Sequence, residues 1–290
     1  MYPSRFAYDA PSSLEEAIAI LDAGGGEAKI LAGGQSLIPM LKLRFAAPER
    51  LVDINSIPGL DYHRVDPDGT LRIGALCRHE DLEFSDKLAG FPTLAQAAAL
   101  VADPIVRTRG TFVGSVCHAD PQGDWAATMI ALDGKVVAQG PNGRREIAMS
   151  DFVLGPFVNA LAYNEIAVEA VIPAAKGTAR GGYLKLERRV GDFATASVAV
   201  ALDMDGETVR RAGCALAGVG GRTIDANDAI SVLVGKSLSD ESIAAAAQAV
   251  AAAAEPRTDH RGSADYKRHI VETFVSRILT NISRSEQKAA

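Results

Sequence analysis

The chain has 290 residues and a formal net charge of −6, with 48% hydrophobic and 23% charged residues, a composition typical of a globular protein of two or three domains. The acidic balance argues against nucleic-acid binding, which requires clustered basic residues, and no apolar run reaches the roughly 18 residues of a membrane-spanning helix. The three cysteines, Cys77, Cys117 and Cys214, are too few and too scattered for a disulfide framework or a zinc site, and an iron–sulfur cluster needs about four thiolates. The N-terminal residues show neither a basic nor an apolar leader region, so the sequence predicts a cytoplasmic protein.

The first predicted element is a helix that begins at about Leu14. Ser12 with Glu15, or Ser13 with Glu16, has the spacing of a capping box, and the sequence leaves both alternatives open. Four apolar residues then fall on one helical face, namely Leu14, Ala17, Ile18 and Leu21. A run of three glycines ends the helix.

Short apolar runs predict strands, and two glycine-bearing segments lie near them. The predicted strands are at 28–31, 51–54 and 71–73. The first strand leads into Ala-Gly-Gly-Gln-Ser at 32–36, which is followed by a short helical turn at 38–44. An alanine- and leucine-rich helix predicted at 90–102 delivers the chain to Gly-Thr-Phe-Val-Gly-Ser at 110–115.

The two glycine-bearing segments together predict a site for a pyrophosphate. Successive N–H groups of such a turn can converge on an anion, and glycine lets the main chain approach a phosphate closely. Asp120 and Asp124 follow the second segment, and their carboxylates could bind ribose or ribityl hydroxyls. Either segment alone is more often an ordinary turn, and Asp124 alone is more often a helix cap.

The C-terminal part of the sequence predicts an antiparallel sheet with helices. A small-residue stretch at 174–182 is expected to be a linker. Alternating strand patterns follow at 182–188, 195–203 and 211–219. Ser239 or Asp240 is expected to cap an alanine-rich helix that ends near Pro256, and a final helix is marked by Tyr266, Ile270, Phe274 and Ile278. The sequence therefore predicts an α+β fold.

These motifs resemble those of the FAD-binding medium subunits of the molybdenum hydroxylases, the family of xanthine dehydrogenase and aerobic carbon monoxide dehydrogenase. The resemblance runs almost end to end and is carried by the segments 31–37, 39–44, 51–55, 73–75, 102–104, 110–115 and 185–196. It implies a two-subdomain FAD-binding domain of the vanillyl-alcohol-oxidase (PCMH) type at residues 1–175, with a subdomain boundary near 55–60. Residues 176–290 would form the C-terminal domain of carbon monoxide dehydrogenase flavoproteins.

The resemblance also implies which residues bind FAD. The pyrophosphate would be enclosed by the segment Ile30, Leu31, Ala32, Gly33, Gly34, Gln35, Ser36 and Leu37 and by Thr111, Phe112, Val113, Gly114 and Ser115. Asp124 would accept hydrogen bonds from FAD hydroxyls, and Lys185 with Leu184 would approach the flavin from the second domain. The remaining contacts would be Val101, Ile166 and Phe193. No catalytic side chain and no metal ligand is expected in this chain.

Val113 departs from the family pattern, which usually has glycine at this position. Because a β-branched residue does not tolerate a positive φ, we expect the backbone to be extended at Val113. The alternative is a shifted loop that holds FAD more weakly.

The function implied by the resemblance is electron transfer through FAD. An iron–sulfur small subunit would supply electrons that a molybdenum large subunit takes from the substrate, and the acceptor would be NAD, a quinone or oxygen. The complex would be a doubled heterotrimer. The alternatives are a self-sufficient flavin oxidase or dehydrogenase of the vanillyl-alcohol-oxidase type and a flavin-carrying docking protein. A dinucleotide-binding Rossmann enzyme is disfavoured, because no Gly-x-Gly-x-x-Gly opens a helix after the first strand.

Overall fold

The computed structural model of the protein describes residues 2–287. Its first sheet is parallel and has the strand order β1–β3–β2, with β1 (Ala7–Asp9), β2 (Ala28–Leu31) and β3 (Arg50–Asp53). Two helices connect these strands, namely α1 (Leu14–Ala23) and α2 (Leu37–Leu43). The parallel order requires such crossovers, and it brings the carboxyl ends of β2 and β3 to one edge of the sheet.

Helix α1 begins with the second of the two predicted caps. The Ser13 hydroxyl accepts from the Glu16 N–H at 3.2 Å, while the Glu16 carboxylate accepts from the Ser12 N–H at 2.9 Å. Ala17 and Leu21 are buried as expected. The predicted helix is therefore confirmed, with Glu16 reaching one residue further back than in a standard capping box.

A second, antiparallel sheet has the order β4–β5–β10–β6–β7. Between its strands β7 and β10 the chain forms a separate two-stranded sheet, β8–β9. In chain order the strands are β4 (His63–Val65), β5 (Leu71–Gly74), β6 (Lys135–Gly140), β7 (Gly143–Ala148), β8 (Val153–Gly155), β9 (Val158–Asn159) and β10 (Ile166–Ile172). The sequence analysis predicted only β5 of this group. Every residue of β10 is buried, so this central strand carries no polar alternation by which it could be recognised.

Six helices accompany this sheet. They are α3 (His79–Glu83), α4 (Pro92–Ala98), α5 (Pro104–Arg107), α6 (Phe112–His118), α7 (Asp124–Ala131) and α8 (Met149–Phe152). The helix predicted at 90–102 is confirmed only over Pro92–Ala98, and its last four residues are not helical. Ala102 has a positive φ of 49°, and a proline at 104 disfavours the helical conformation at Asp103, which instead caps α5 by accepting from the Val106 N–H.

The second glycine-bearing segment is a helix N-terminus, which corrects the expected loop. Thr111 caps α6, and its hydroxyl accepts from the Gly114 N–H at 3.2 Å. Val113 lies in the first turn of α6 and is not among the residues with positive φ. The expected extended backbone at Val113 is therefore wrong, and the negative φ of a helical residue lies in the region allowed to a β-branched side chain.

The C-terminal sheet is antiparallel in the order β11–β12–β13–β14, with β11 (Thr178–Leu186), β12 (Ala196–Asp205), β13 (Thr208–Ala217) and β14 (Ile224–Asp225). It confirms the predicted meander. The predicted linker is too long, because β11 begins at Thr178 and pairs with β12 from there. Three helices follow, namely α9 (Asn227–Ile230), α10 (Asp240–Ala253), which Ser239 caps as predicted, and α11 (Ala264–Gln287). In the range 2–287 no helix is long and apolar enough to cross a membrane.

The C-terminal sheet lies between two helical layers. Alternate side chains of strand β12 point into the two cores on either side of it. Val198 and Val200 belong to the core formed with α10 and α11, whereas Ala199 and Ala201 belong to the core that includes α4 and α7. The small residues allow close approach on the second side. A Cβ atom at Gly213 would collide with the Ala131 carbonyl of α7. The two parts of the chain are therefore closely packed where α7 meets strand β13.

Candidate functional site

The two glycine-bearing segments lie against each other in the fold. A Cβ atom at Gly33 would collide with the carbonyl oxygen of Arg109 and would lie 2.8 Å from the Gly110 Cα and 3.0 Å from the Thr111 nitrogen. Only glycine permits this approach of two backbones. The structure thus brings together two segments that the sequence analysis had paired on motif grounds alone.

The backbone of the first segment presents donors that the protein does not use. In the described part of the chain, the N–H groups of Gly33, Gly34, Gln35 and Ser36 have no hydrogen-bond acceptor. The Val113 N–H of the second segment has none either. Backbone donors are normally paired with protein or solvent, so five such groups on adjoining segments form a surface suited to an anion.

Asn55 and Arg78 hold the two segments together. The Asn55 amide donates to the Ala32 carbonyl at 2.9 Å and to the Asp53 carboxylate at 2.6 Å. Arg78 donates to the Asn55 side-chain oxygen at 2.8 Å and to the Arg109 carbonyl at 2.8 Å. Neither residue was singled out from the sequence. Asn55 could have been found, because side chains that follow neighbouring parallel strands meet at one sheet edge.

A cavity of about 390 Å³ opens beside the first segment. Lys42 and Arg109 supply positive charge to its wall, and Asp53 supplies one carboxylate. Burial alone would raise the pKa of Asp53, but hydrogen bonds from Tyr8 and Asn55 hold it below its usual value. Asp53 is therefore an ionised acceptor, and the two cations lie where they can attract a bound phosphate group.

His79 packs against the backbone of the second segment. It is buried, and its Nδ1 accepts from the Trp125 indole N–H at 3.0 Å. A Cβ atom at Gly110 would lie 2.7 Å from the His79 ring. Burial, reinforced by the charges of Arg107 and Arg78, lowers the pKa of His79 to about 4. The imidazole is thus neutral near pH 7 and serves to pack and orient this backbone.

A second group of candidate residues surrounds Asp124. Its carboxylate accepts from the Tyr183 hydroxyl at 2.5 Å and from the Lys185 ammonium at 3.2 Å. Burial raises the pKa of Asp124, while the charge of Lys185 and the Tyr183 hydroxyl oppose this rise. Lys185 also donates to the Leu100 carbonyl at 3.0 Å, next to Val101. Lys185 is therefore not an exposed lysine on the surface of a strand, because its side chain is only 2% exposed.

Phe193 lies on a loop that is held from two sides. Its carbonyl accepts from Arg261 at 2.8 Å, and the neighbouring Asp192 accepts from Arg261 at 3.2 Å and from Arg188 at 3.1 Å. Arg261 is the first cause of the low pKa of Asp192, about 2. The Phe193 side chain itself is 50% exposed and remains available for contact.

Several other predicted site residues lie with their side chains in the core. Phe112 is buried and packs against Trp125, with ring centroids 4.6 Å apart and the rings tilted at 49°. Val101, Val113 and Ile166 are also buried. Phe112 and Val113 can therefore reach a cofactor only through their backbone. Leu184 is half-buried against the C-terminal core.

Comparisons with known proteins agree with this geometry. A family model described as the FAD binding domain in molybdopterin dehydrogenase matches residues 4–175, and one described as the CO dehydrogenase flavoprotein C-terminal domain matches residues 182–282. The chain is 45% identical over 281 residues to the carbon monoxide dehydrogenase medium chain of Hydrogenophaga pseudoflava, covering 96% of this chain and 97% of that one. It is 38% identical over 282 residues to the 6-hydroxypseudooxynicotine dehydrogenase complex subunit alpha of Paenarthrobacter nicotinovorans, covering 96% and 95%.

A solved structure gives the same result for the fold. Carbon monoxide dehydrogenase from Hydrogenophaga pseudoflava, in a form lacking the Mo-pyranopterin moiety, superposes with a TM-score of 0.93 at 44% identity over 99% of both chains. The predicted α+β fold, an FAD-binding domain followed by a sheet-and-helix domain, is confirmed by this match.

Together the fold and these matches define a flavoprotein of the oxidoreductase class with FAD as its cofactor. The chain belongs to the family of FAD-binding medium subunits of the molybdenum hydroxylases. It is therefore an FAD-carrying electron-transfer subunit of a multi-subunit enzyme, and family membership favours this function over that of a self-sufficient flavin oxidase.

Proposed function

We propose that the pyrophosphate of FAD binds between the segments Ile30–Leu37 and Thr111–Ser115. The observation that carries this proposal is the packing of Gly33 on the Arg109–Thr111 backbone beside four unpaired N–H groups. Lys42 and Arg109 would neutralise the phosphates from the cavity wall. The site suits an anion of this kind because, among the described residues, these backbone donors have no acceptor within the protein.

We propose that the second group of residues binds the flavin half of FAD. The Lys185 ammonium joins the Asp124 carboxylate to the Leu100 carbonyl, which precedes Val101 in the chain, and Phe193 offers an exposed ring. Leu184 packs against the C-terminal core and Ile166 is buried, so these two residues would contact the cofactor only through their backbone. The Lys185 ammonium lies between the carboxylates of Asp124 and Glu187, so its role would be to hold Asp124 in place for the cofactor.

We further propose the place of this chain in its complex. Bound FAD would collect electrons from an iron–sulfur small subunit and deliver them to NAD, a quinone or oxygen, while a molybdenum large subunit binds the substrate. The three cysteines of the chain, fewer than the roughly four thiolates of a cluster, support a separate iron–sulfur subunit. The assembly would be a doubled heterotrimer in the cytoplasm.

The domain limits are part of the proposal. We assign residues 1–175 to the FAD-binding domain and 176–290 to the C-terminal domain, with the subdomain boundary near 55–60. The change from the parallel sheet that ends with β3 to the antiparallel sheet that begins with β4 supports this inner boundary. The short segment between strands β10 and β11 supports the boundary between the two domains at residues 175 and 176.

A flavin titration tests the site. Apoprotein is titrated with FAD and with FMN, and flavin fluorescence is followed. We expect FAD to bind at one per chain and FMN to bind far more weakly, because FMN lacks the pyrophosphate. Lys42→Ala and Arg109→Ala should each weaken FAD binding about tenfold, whereas Arg144→Ala, an exposed residue of β7, should not. Equal binding of FMN and FAD would contradict the pyrophosphate assignment.

A pulldown from the native host, followed by mass spectrometry, tests the partnership separately. We expect an iron–sulfur subunit and a molybdenum subunit to be recovered with the chain. Recovery of the chain alone with full substrate-oxidising activity would contradict the subunit proposal while leaving the FAD site intact.

A further inference from the structure

A second cavity, of about 320 Å³, lies at the junction of the two parts of the chain. Its wall combines the start of α4, the end of α7, the segment before β11 and the strands β12 and β13. It shares no lining residue with the cavity beside Gly33. Its volume is at the lower end of the range for small-molecule sites, roughly 300–1,000 Å³.

The lining of this cavity is basic in an acidic protein. Four cationic and two acidic side chains line it, a net charge of +2, whereas the whole chain carries −6. Asp203 is already satisfied, because it accepts from Arg210 and from the backbone N–H groups of Lys176 and Gly177. In the described range, neither Lys176 nor Arg211 forms an ion pair. Unpaired positive charge therefore remains at the cavity.

A β-bulge directs two consecutive arginines to this cavity. In the pairing of β12 with β13, Asp203 lies opposite Arg211 and Met204 lies opposite Val209, so Arg210 is the extra residue. Regular alternation would send Arg210 and Arg211 to opposite faces of the sheet. With the bulge, Arg210 reaches Asp203 and Arg211 reaches the Ala131 carbonyl at 3.0 Å, both on the side that faces the N-terminal part. Bulges commonly re-aim side chains at functional sites.

The rest of the wall is apolar. Phe91, Leu132 and Pro173 line the cavity with several alanines. A bare inorganic anion would leave this surface in contact with water, whereas an organic anion would cover it. Guanidinium groups bind phosphate and carboxylate oxygens through paired N–H donors.

We propose that this cavity is a second binding site, specific for a small phosphorylated organic anion such as a nucleoside monophosphate. Arg211 and Lys176 bind the phosphate, Arg210 is held in place by Asp203, and the apolar wall contacts the organic part. Because the site joins α4 and α7 to the C-terminal sheet, its ligand binds only the folded arrangement and stabilises the junction by mass action. The proposal does not depend on which residues hold FAD.

Calorimetric titration of the FAD-loaded protein tests this site. Excess FAD is present so that the flavin site is filled wherever it lies, and AMP serves as the probe, with adenosine and pyrophosphate as comparisons. We expect saturable binding of AMP at one per chain, a raised melting temperature, and no measurable binding of adenosine. Arg211→Gln and Lys176→Gln should each weaken AMP binding about tenfold, and the matched variant Arg144→Gln should bind AMP as the unaltered protein does.

Three results would overturn the proposal. The first is the absence of saturable AMP binding at millimolar concentration. The second is unchanged AMP affinity in both Arg211→Gln and Lys176→Gln, provided each variant still retains FAD and melts within a few degrees of the unaltered protein. The third is binding of pyrophosphate without AMP, which would show that the apolar wall has no role.

Discussion

Lys185 and Asp124 form an ion pair between strand β11 and the first turn of α7, with Nζ and Oδ2 3.2 Å apart and side chains that are 2% and 9% exposed. The pair joins the two parts of the chain, because β11 belongs to the C-terminal sheet and α7 to the N-terminal part. Tyr183, two residues before Lys185, donates to the same carboxylate. Lys185 Nζ also lies 3.4 Å from Glu187 Oε2, so one cation and two carboxylates link the junction of the two parts of the chain to the proposed flavin site.

Removing one partner of this pair should destabilise the fold. Lys185→Met leaves the Asp124 carboxylate buried without its cation, and such a loss costs about 3–5 kcal/mol. The matched variant Lys135→Met removes an exposed pair with Glu146, whose side chains are 50% and 52% exposed, and should cost less than about 1 kcal/mol. Urea denaturation of both variants measures the difference. Equal effects would show that the Lys185 pair contributes no more than a surface contact.

His79 should make stability depend on pH. Its folded-state pKa of about 4 lies below the usual value of 6.5, so the unfolded chain binds the proton more tightly. The contribution of His79 is therefore complete above about pH 6.5 and is lost as the pH falls towards 4, with a span of about 3 kcal/mol. His79→Gln should abolish this part of the pH profile.

Carboxylates also titrate at the acidic end of this range. The relevant quantity is therefore the difference in free energy of unfolding between the unaltered protein and His79→Gln across pH 4–7. The same substitution at the exposed His260 serves as the control and should leave the profile unchanged. A constant difference between the unaltered protein and His79→Gln at all pH values would contradict the assigned pKa.

Gly33→Ala should impair both folding and FAD retention. The new Cβ atom would meet the Arg109 carbonyl and push the two segments apart, at a cost of about 1–3 kcal/mol. Gly221 has ordinary φ and nothing within 4 Å of a Cβ atom, so Gly221→Ala is the matched control and should keep stability and flavin. The flavin content and melting temperature of both variants test this prediction. A stable Gly33→Ala protein with full flavin would show that the close contact is not required.

Asn55→Ala should weaken FAD binding while leaving the fold in place. The change removes hydrogen bonds to the Ala32 carbonyl, to Asp53 and from Arg78, and it loosens the first segment. We expect a five- to tenfold loss of FAD affinity, about 1–1.4 kcal/mol. Asn164→Ala, which removes an exposed bond to Asp22 at 2.7 Å, should leave affinity unchanged. Identical FAD titrations for the two variants would contradict a positioning role for Asn55.

Local signals in the sequence predicted several elements well. The Ser13 cap, the apolar face of α1, the C-terminal meander and the Ser239 cap follow from residues close to one another in the chain. The prediction at Val113 was wrong because a family motif was taken to describe a loop. A helix N-terminus capped by Thr111 exposes the same backbone donor with ordinary φ.

Other features of the fold could not be predicted from residues close together in the sequence. Strand β10 is buried on both faces, so its pattern does not distinguish it from a buried helix. Arg78 and His79 act on the second segment through contacts that span about thirty positions or more, such as the bond from Arg78 to the Arg109 carbonyl and that from Trp125 to His79. Such contacts depend on how distant segments pack.

The sequence by itself determined the family, the α+β class and the chemistry of the cofactor, because glycines, caps and alternating strands act over a few residues and occur here in the family's order. Only the tertiary structure decided that Gly33 is required by the Arg109 backbone, that Lys185 is buried on Asp124, and that a bulge turns Arg210 and Arg211 to one cavity. Each of these depends on which surfaces meet when the sheets and helices pack. Close packing in the interior fixes such relationships, and no local pattern in the chain encodes them.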